Sequence, residues 1–231
     1  HQIGKGFARQ TQAIAEATDL DDLFARVEAS GQLIRLDESV TPTMYRCATV
    51  TQAESTQLKR ISNIVRQGRV QALEADRLIL DEGEVATDTA TLHVDCSADG
   101  LARRPAVPVF EGAKLTLQSV RTCQQVFSAA FIAHVEASYA DEGEKNELCT
   151  PVPHPDDHID FLRTTLASNR NAARWGADPD LQVWLRNARL DGFTTDDPSV
   201  PPPSADTLAE MAQAAQLASA NLERLLADYS T

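Results

Sequence analysis

No stretch of this 231-residue chain approaches the run of about 18 apolar residues that a membrane-spanning helix requires. Its first residues, HQIGKGFAR, lack the charged and then apolar pattern of a secretory leader. Both absences lead to the expectation of a soluble, cytoplasmic protein with no membrane partner. Positive charge is scarce: 21 Lys and Arg stand against 34 Asp and Glu, a formal net charge of -13. A phosphate-backbone partner needs a clustered basic surface, so nucleic acid is excluded as a partner class. The four cysteines, Cys47, Cys96, Cys123 and Cys149, form no C-x-x-C pair and are too sparse for a disulfide framework. They are expected to be unpaired thiols, with Cys96 the best placed to touch a ligand. A Gly-rich dinucleotide turn is also missing. Gly4-Lys5-Gly6 imitates one, but no strand precedes it and Arg9 fills the third glycine position, where close helix packing needs a small residue.

What is present reads as a mixed α and β chain. Helical periodicity runs over 7–17 and again over 20–29, where Thr18-Asp19 caps and Gly31 stops the helix. Alternation predicts strands over 32–36 and 44–50. The Thr51-Gln52-Ala53-Glu54 box opens a helix through about 62. Three apolar runs, 70–73, 77–80 and 92–94, predict an antiparallel meander. The third run leads into Asp95-Cys96-Ser97-Ala98-Asp99-Gly100, small residues that let a ligand approach the main chain. Strands at 107–110 and 114–117 follow. A helix N-capped by Ser128, with Ala129 and Ala130 behind it, is expected next. Helices over 159–175 and 180–190 make the second half predominantly helical. Acidic, Pro-rich 194–204 reads as a linker between a body (1–193) and a terminal helix (205–231). That helix carries Leu208, Met211, Ala215, Leu222, Leu225 and Leu226 near helical spacing, a stripe that must be covered by the body or by another copy.

The meander with its small-residue exit resembles the second half of the dinucleotide-binding domain of FAD- and NAD(P)-dependent oxidoreductases, where a β-meander leads into an apolar-x-apolar-x-A-T-G strand. Here Cys96-Ser97-Ala98-Asp99-Gly100 replaces Ala-Thr-Gly. With the wording of 121–139 and 149–155, the likeness extends over about residues 3–165 to actinobacterial-type FAD/NAD(P)-binding, pyridine nucleotide-disulfide-like oxidoreductases. The resemblance implies a fold related to half of a dinucleotide-binding domain, FAD and NAD(P) as the family's cofactors, and hydride-transfer chemistry. It implies contact with cofactor at Asp95, Cys96, Ser97 and Gly100, and at Ser128 and Ala129, where the late helix points at the flavin end. None of its motifs designates a catalytic residue. Because the Gly-rich turn is missing, this chain alone is expected to hold no stoichiometric FAD or NAD(P).

Two other groups carry chemistry. Arg103-Arg104 could meet a pyrophosphate, or simply offset the acidic surface. His154 and His158, with Asp156, Asp157 and Asp160, are the one cluster with metal-ligand chemistry, but a metal needs three or four converging ligands. Asp156 or Asp157 is read as a helix cap, and no metal site is assigned. Two functions follow: the carboxy-terminal part of a flavin- and pyridine-nucleotide-linked oxidoreductase, completed by an amino-terminal part or a second copy, or a non-catalytic interaction or regulatory module of the same fold that assembles through its terminal helix.

Overall fold

Capping side chains set most of the helix starts. The computed structural model describes residues 2–45, 50–97, 104–188, 190 and 204–229. In chain order the elements are α1 (Gln2–Glu16), α2 (Leu20–Ala29), α3 (Gln52–Leu58), β1 (Val70–Leu73), β2 (Arg77–Leu80), β3 (Gly83–Ala86), β4 (Phe110–Glu111) and β5 (Lys114–Leu115). There follow α4 (Gln125–Ser138), α5 (Glu142–Leu148), α6 (His158–Ala177), α7 (Pro179–Ala188) and α8 (Ala205–Ala227). The side chains of Asp19, Thr51, Asp141, Asp157 and Ser204 each accept from a backbone amide in the first turn of the helix they precede. At Thr51 the expected reciprocal box with Glu54 forms.

The chain divides into two compact units, residues 1–50 with 105–231, and residues 51–104. In the first, α6 runs through two apolar clusters. Its first half places Leu162 and Leu166 against Ile14 of α1, Leu23 and Val27 of α2, and Ala218, Leu222 and Leu225 of α8. Farther along, Trp175 packs with Val120, Phe127, Phe131, Leu148 and Leu181. Between them Asn171, 0% exposed, donates from Nδ2 to the carbonyls of Val120 (2.9 Å) and Thr150 (2.7 Å). Those two bonds join the loop before α4 and the loop after α5 to α6, and satisfy polar groups that would otherwise be costly to bury. The β4–β5 hairpin turns at Gly112, whose φ of 58° a larger residue would resist.

The second unit holds α3 and the antiparallel sheet β1-β2-β3. Leu80 pairs directly with Gly83, so Asp81-Glu82 is a two-residue hairpin turn. The Asp81 carboxylate accepts from the Arg69 amide (2.6 Å) and from the Gln71 side chain. Its pKa is lowered, first by the Arg69 amide and then by Gln71.

The mixed α and β class stands, with two small antiparallel sheets among the described residues in place of one central sheet. Several expected elements differ. Residues 32–36 form no strand, and neither do Met44 and Tyr45; 46–49 lie outside the described residues. The third meander strand is Gly83–Ala86 instead of 92–94, because the tight Asp81-Glu82 turn closes four consecutive pairs with β2. The Asp88 side chain then accepts from the Ala90 amide and the Thr91 hydroxyl, folding the chain away from the ladder. The fourth helix begins at Gln125, not after Ser128.

Candidate functional site

Of the residues expected to meet a cofactor, Asp95, Cys96 and Ser97 belong to the second unit and Ser128 and Ala129 to the first; Ala98, Asp99, Gly100 and Arg103 lie outside the described residues. Asp95 Oδ1 accepts from the Ser97 amide (2.8 Å) and hydroxyl (2.6 Å), a closed local turn. These bonds, the hydroxyl's first, hold the Asp95 carboxyl below the usual range. Asp95, Cys96 and Ser97 are exposed, with the Ser97 amide taken up by the Asp95 carboxylate. No strand leads into them: Leu92 and Val94 are irregular, 87% and 72% exposed. Ser128 is buried, 1% exposed, its hydroxyl donating to the Gln124 carbonyl (2.7 Å) and accepting from the Val120 amide (3.1 Å). It fastens α4 to the preceding loop. With the helix starting at Gln125, neither Ser128 nor Ala129 stands at a helix tip.

Cys96 and Cys149 are free thiols, the first exposed and the second buried. Cys123 is disulfide-bonded, which corrects the expectation of four unpaired thiols; Cys47 lies outside the described residues. Sequence spacing gives no warning of such a bond, since pairing depends on how the fold brings Cβ atoms together. Cys123 also has a φ of 60°, rare outside glycine, in the turn leading to α4. Burial pushes the Cys149 thiol up to about 12, so it is inert as a nucleophile.

A group of titratable side chains joins α4 to α7. His134 stacks on Trp184 with ring centroids 4.7 Å apart and planes 9° from parallel, and its Nδ1 lies 3.3 Å from the Ser138 hydroxyl. Burial against the indole lowers the His134 pKa, with Asp178 opposing. Tyr139 donates to Asp178 Oδ2 at 2.6 Å; burial and then that bond raise the tyrosine pKa, and the same bond lowers that of Asp178. The phenol therefore keeps its proton, and Asp178 is committed as well to the Asp180 and Leu181 amides. The geometry fixes the entry to α7. An open depression of about 470 Å³ beside it is lined by Glu144, Glu147, Arg174 and Asp178 among others. Asp157 is occupied as the cap of α6, accepting from the Asp160 amide. Among the described residues no three His, Cys, Asp or Glu side chains are grouped to hold a metal.

The apolar stripe of α8 divides into two halves. Ala218, Leu222 and Leu225 are 1%, 0% and 3% exposed, packed on α1, α2 and α6. Asn221 Nδ2 donates to the Ile14 and Ala17 carbonyls, and Arg224 Nη2 to those of Ala17 and Thr18, satisfying the C-terminal end of α1. Upstream on the same 3-4 spacing, Leu208 and Met211 are 53% and 55% exposed, and Leu217 beside the stripe is 57% exposed. Residues 206–213 are all exposed. Helix α5, like strand β3, was missed by sequence reasoning; Asp141 followed by Glu144 is the capping signal that could have found it.

No family model matches this chain, and no solved structure matches it. It is 53% identical over 189 residues to "Uncharacterized protein Mb2023" of Mycobacterium bovis and, to the same extent, to "Uncharacterized protein Rv2000" of Mycobacterium tuberculosis. The match takes in 82% of this chain and 35% of each relative, so the chain spans about a third of the length of the curated relatives it matches.

Proposed function

We propose that this chain is a non-catalytic interaction module that pairs with a second copy of itself through the first half of α8. The observation that carries this reading is the split stripe. One row of side chains is buried at Ala218, Leu222 and Leu225 and continues, at the same spacing, into exposed Leu208 and Met211. A helix start exposed on all sides is marginal in water unless something packs on it. Continuity of the row favours another apolar helix, and in a two-fold pair that helix is its own counterpart. Deleting α8 is a poor test, because its second half belongs to the core. Light scattering on the chain and on Leu208→Glu/Met211→Glu is decisive: a dimer mass falling to a monomer mass is expected, with any loss of helicity confined to the first turns of α8. A monomer mass at every concentration of the unaltered chain overturns the reading.

A second reading, the carboxy-terminal part of a flavin- and pyridine-nucleotide-dependent oxidoreductase, draws support from the small, exposed residues Cys96 and Ser97. Ser128 no longer contributes, its hydroxyl being engaged within the fold. This chain alone is expected to purify without stoichiometric flavin, whereas a full-length mycobacterial relative would bind FAD. A relative that retains no flavin after incubation with excess FAD and removal of the unbound cofactor removes this reading. A cytoplasmic location competes with the Cys123 disulfide, which favours a compartment where thiols are not kept reduced.

A further inference from the structure

The sheet of the second unit is two-faced in a way the sequence alternation does not show. Residues directly paired across antiparallel strands project to the same side. Leu78 pairs with Leu73 on one neighbour and Val85 on the other, while Leu80 pairs with Val70 and Gly83. A bulge between Val70 and Ala72 lets residues three apart, Val70 and Leu73, share that side. One face therefore carries Val70, Leu73, Leu78, Leu80 and Val85, with the Gln67 side-chain amide lying over Gly83 at its edge. The other carries Arg77, Ile79 and Glu84, and Arg77 reaches Glu84 at 3.8 Å and Glu74 at 2.8 Å. None of the five aliphatic residues is buried: Val70 and Leu73 are 57% and 55% exposed, and Leu78, Leu80 and Val85 are half-buried. A small sheet with an apolar face holds together only when that face is covered.

The size of the face indicates what covers it. Three strands about 4.8 Å apart and four residues of about 3.3 Å rise give a face on the order of 200 Å². A stable complex between separate molecules buries roughly 800 Å² on each partner. A patch this small is held by a tethered element, whose effective concentration is on the order of millimolar. The shared stretch of 189 residues leaves 231 − 189 = 42 positions of this chain outside it, so it includes the sheet, yet it is only 35% of each relative. We propose that the Val70, Leu73, Leu78, Leu80 and Val85 face is covered in cis by an apolar helix or strand from the part of the polypeptide that the mycobacterial relatives carry beyond the shared stretch.

Hydrogen exchange of the strand amides tests this in two proteins as they exist, the 231-residue chain and the full-length Mycobacterium tuberculosis relative. Exchange over 77–80 is expected to be at least about tenfold slower in the relative than in the shorter chain. Asp in place of the residue matching Leu80 should abolish that difference, leaving exchange unchanged in the helix matching α4. Three results overturn the proposal: equal and fast exchange in both proteins, equal and slow exchange in both, or protection of the shorter chain that grows with its concentration. The last would assign the face to a second copy, a different outcome from loss of the α8 pair, which Leu208→Glu/Met211→Glu reports separately.

Discussion

Leu222 and Leu208 lie on one stripe of α8, and truncating each to alanine separates what the helix does for the fold from what it does for assembly. Leu222 is fully buried among Ile14, Ala17, Leu162 and Leu225. Removing its isobutyl end leaves a cavity between α1, α6 and α8, costing about 3 kcal/mol. At 2–4 °C per kcal/mol for a chain of this size, the melting temperature should fall by roughly 6–12 °C. Leu208 is 53% exposed, so Leu208→Ala in the dilute chain should cost no more than about 0.5 kcal/mol. Its effect should appear with concentration: pairing that saturates at about 100 times its dissociation constant adds up to about 2.7 kcal/mol to the folded state, and Leu208→Ala should lose most of that increment. The assay is thermal unfolding by circular dichroism over a hundredfold range of concentration. Equal losses from both substitutions at every concentration would refute the reasoning, because the first half of α8 would then pack on its own body.

Asn171→Ala leaves the buried Val120 and Thr150 carbonyls without their shared donor and should cost about 3 kcal/mol. A lower urea midpoint with unchanged slope is the expected signature. The lowered His134 pKa means that the unfolded chain binds a proton more readily than the folded one. That term favours unfolding as pH falls below the ordinary histidine value of about 6.5 and vanishes above it. The fall in melting temperature between about pH 7 and pH 5 should therefore be smaller in His134→Phe than in the unaltered chain, and an unchanged fall would count against the stack on Trp184. A thiol reagent at pH 8 should modify exposed Cys96 within minutes and reach buried Cys149 only after denaturant is added, which peptide mapping of the labelled protein checks.

Sequence reading found what local chemistry decides and missed what pairing decides. Thr51 with Glu54, Asp19 with Asp22 and Asp157 with Asp160 satisfy amides within a few residues, so these helix starts were legible. At Ser128 the same logic failed: the hydroxyl bonds outward to the Val120 amide and back to the Gln124 carbonyl, and a serine in that role is indistinguishable in sequence from a cap. The meander failed in a related way. Leu92-His93-Val94 has the composition of a strand, yet Gly83–Ala86, with one valine, takes the place beside β2 because a two-residue turn delivers it there first. The cofactor reading rested on a strand emptying into small residues. Without that strand, Asp95–Ser97 is an exposed turn closed by its own aspartate. The stripe on α8 was legible as apolar but not as divided, since only the fold shows that α6 places Leu162 and Leu166 beside the second half and leaves the first uncovered. Exposed apolar rows on α8 and on the sheet are thus the features that the packing among the described residues does not explain, and the two proposals above assign them to contacts with other polypeptide.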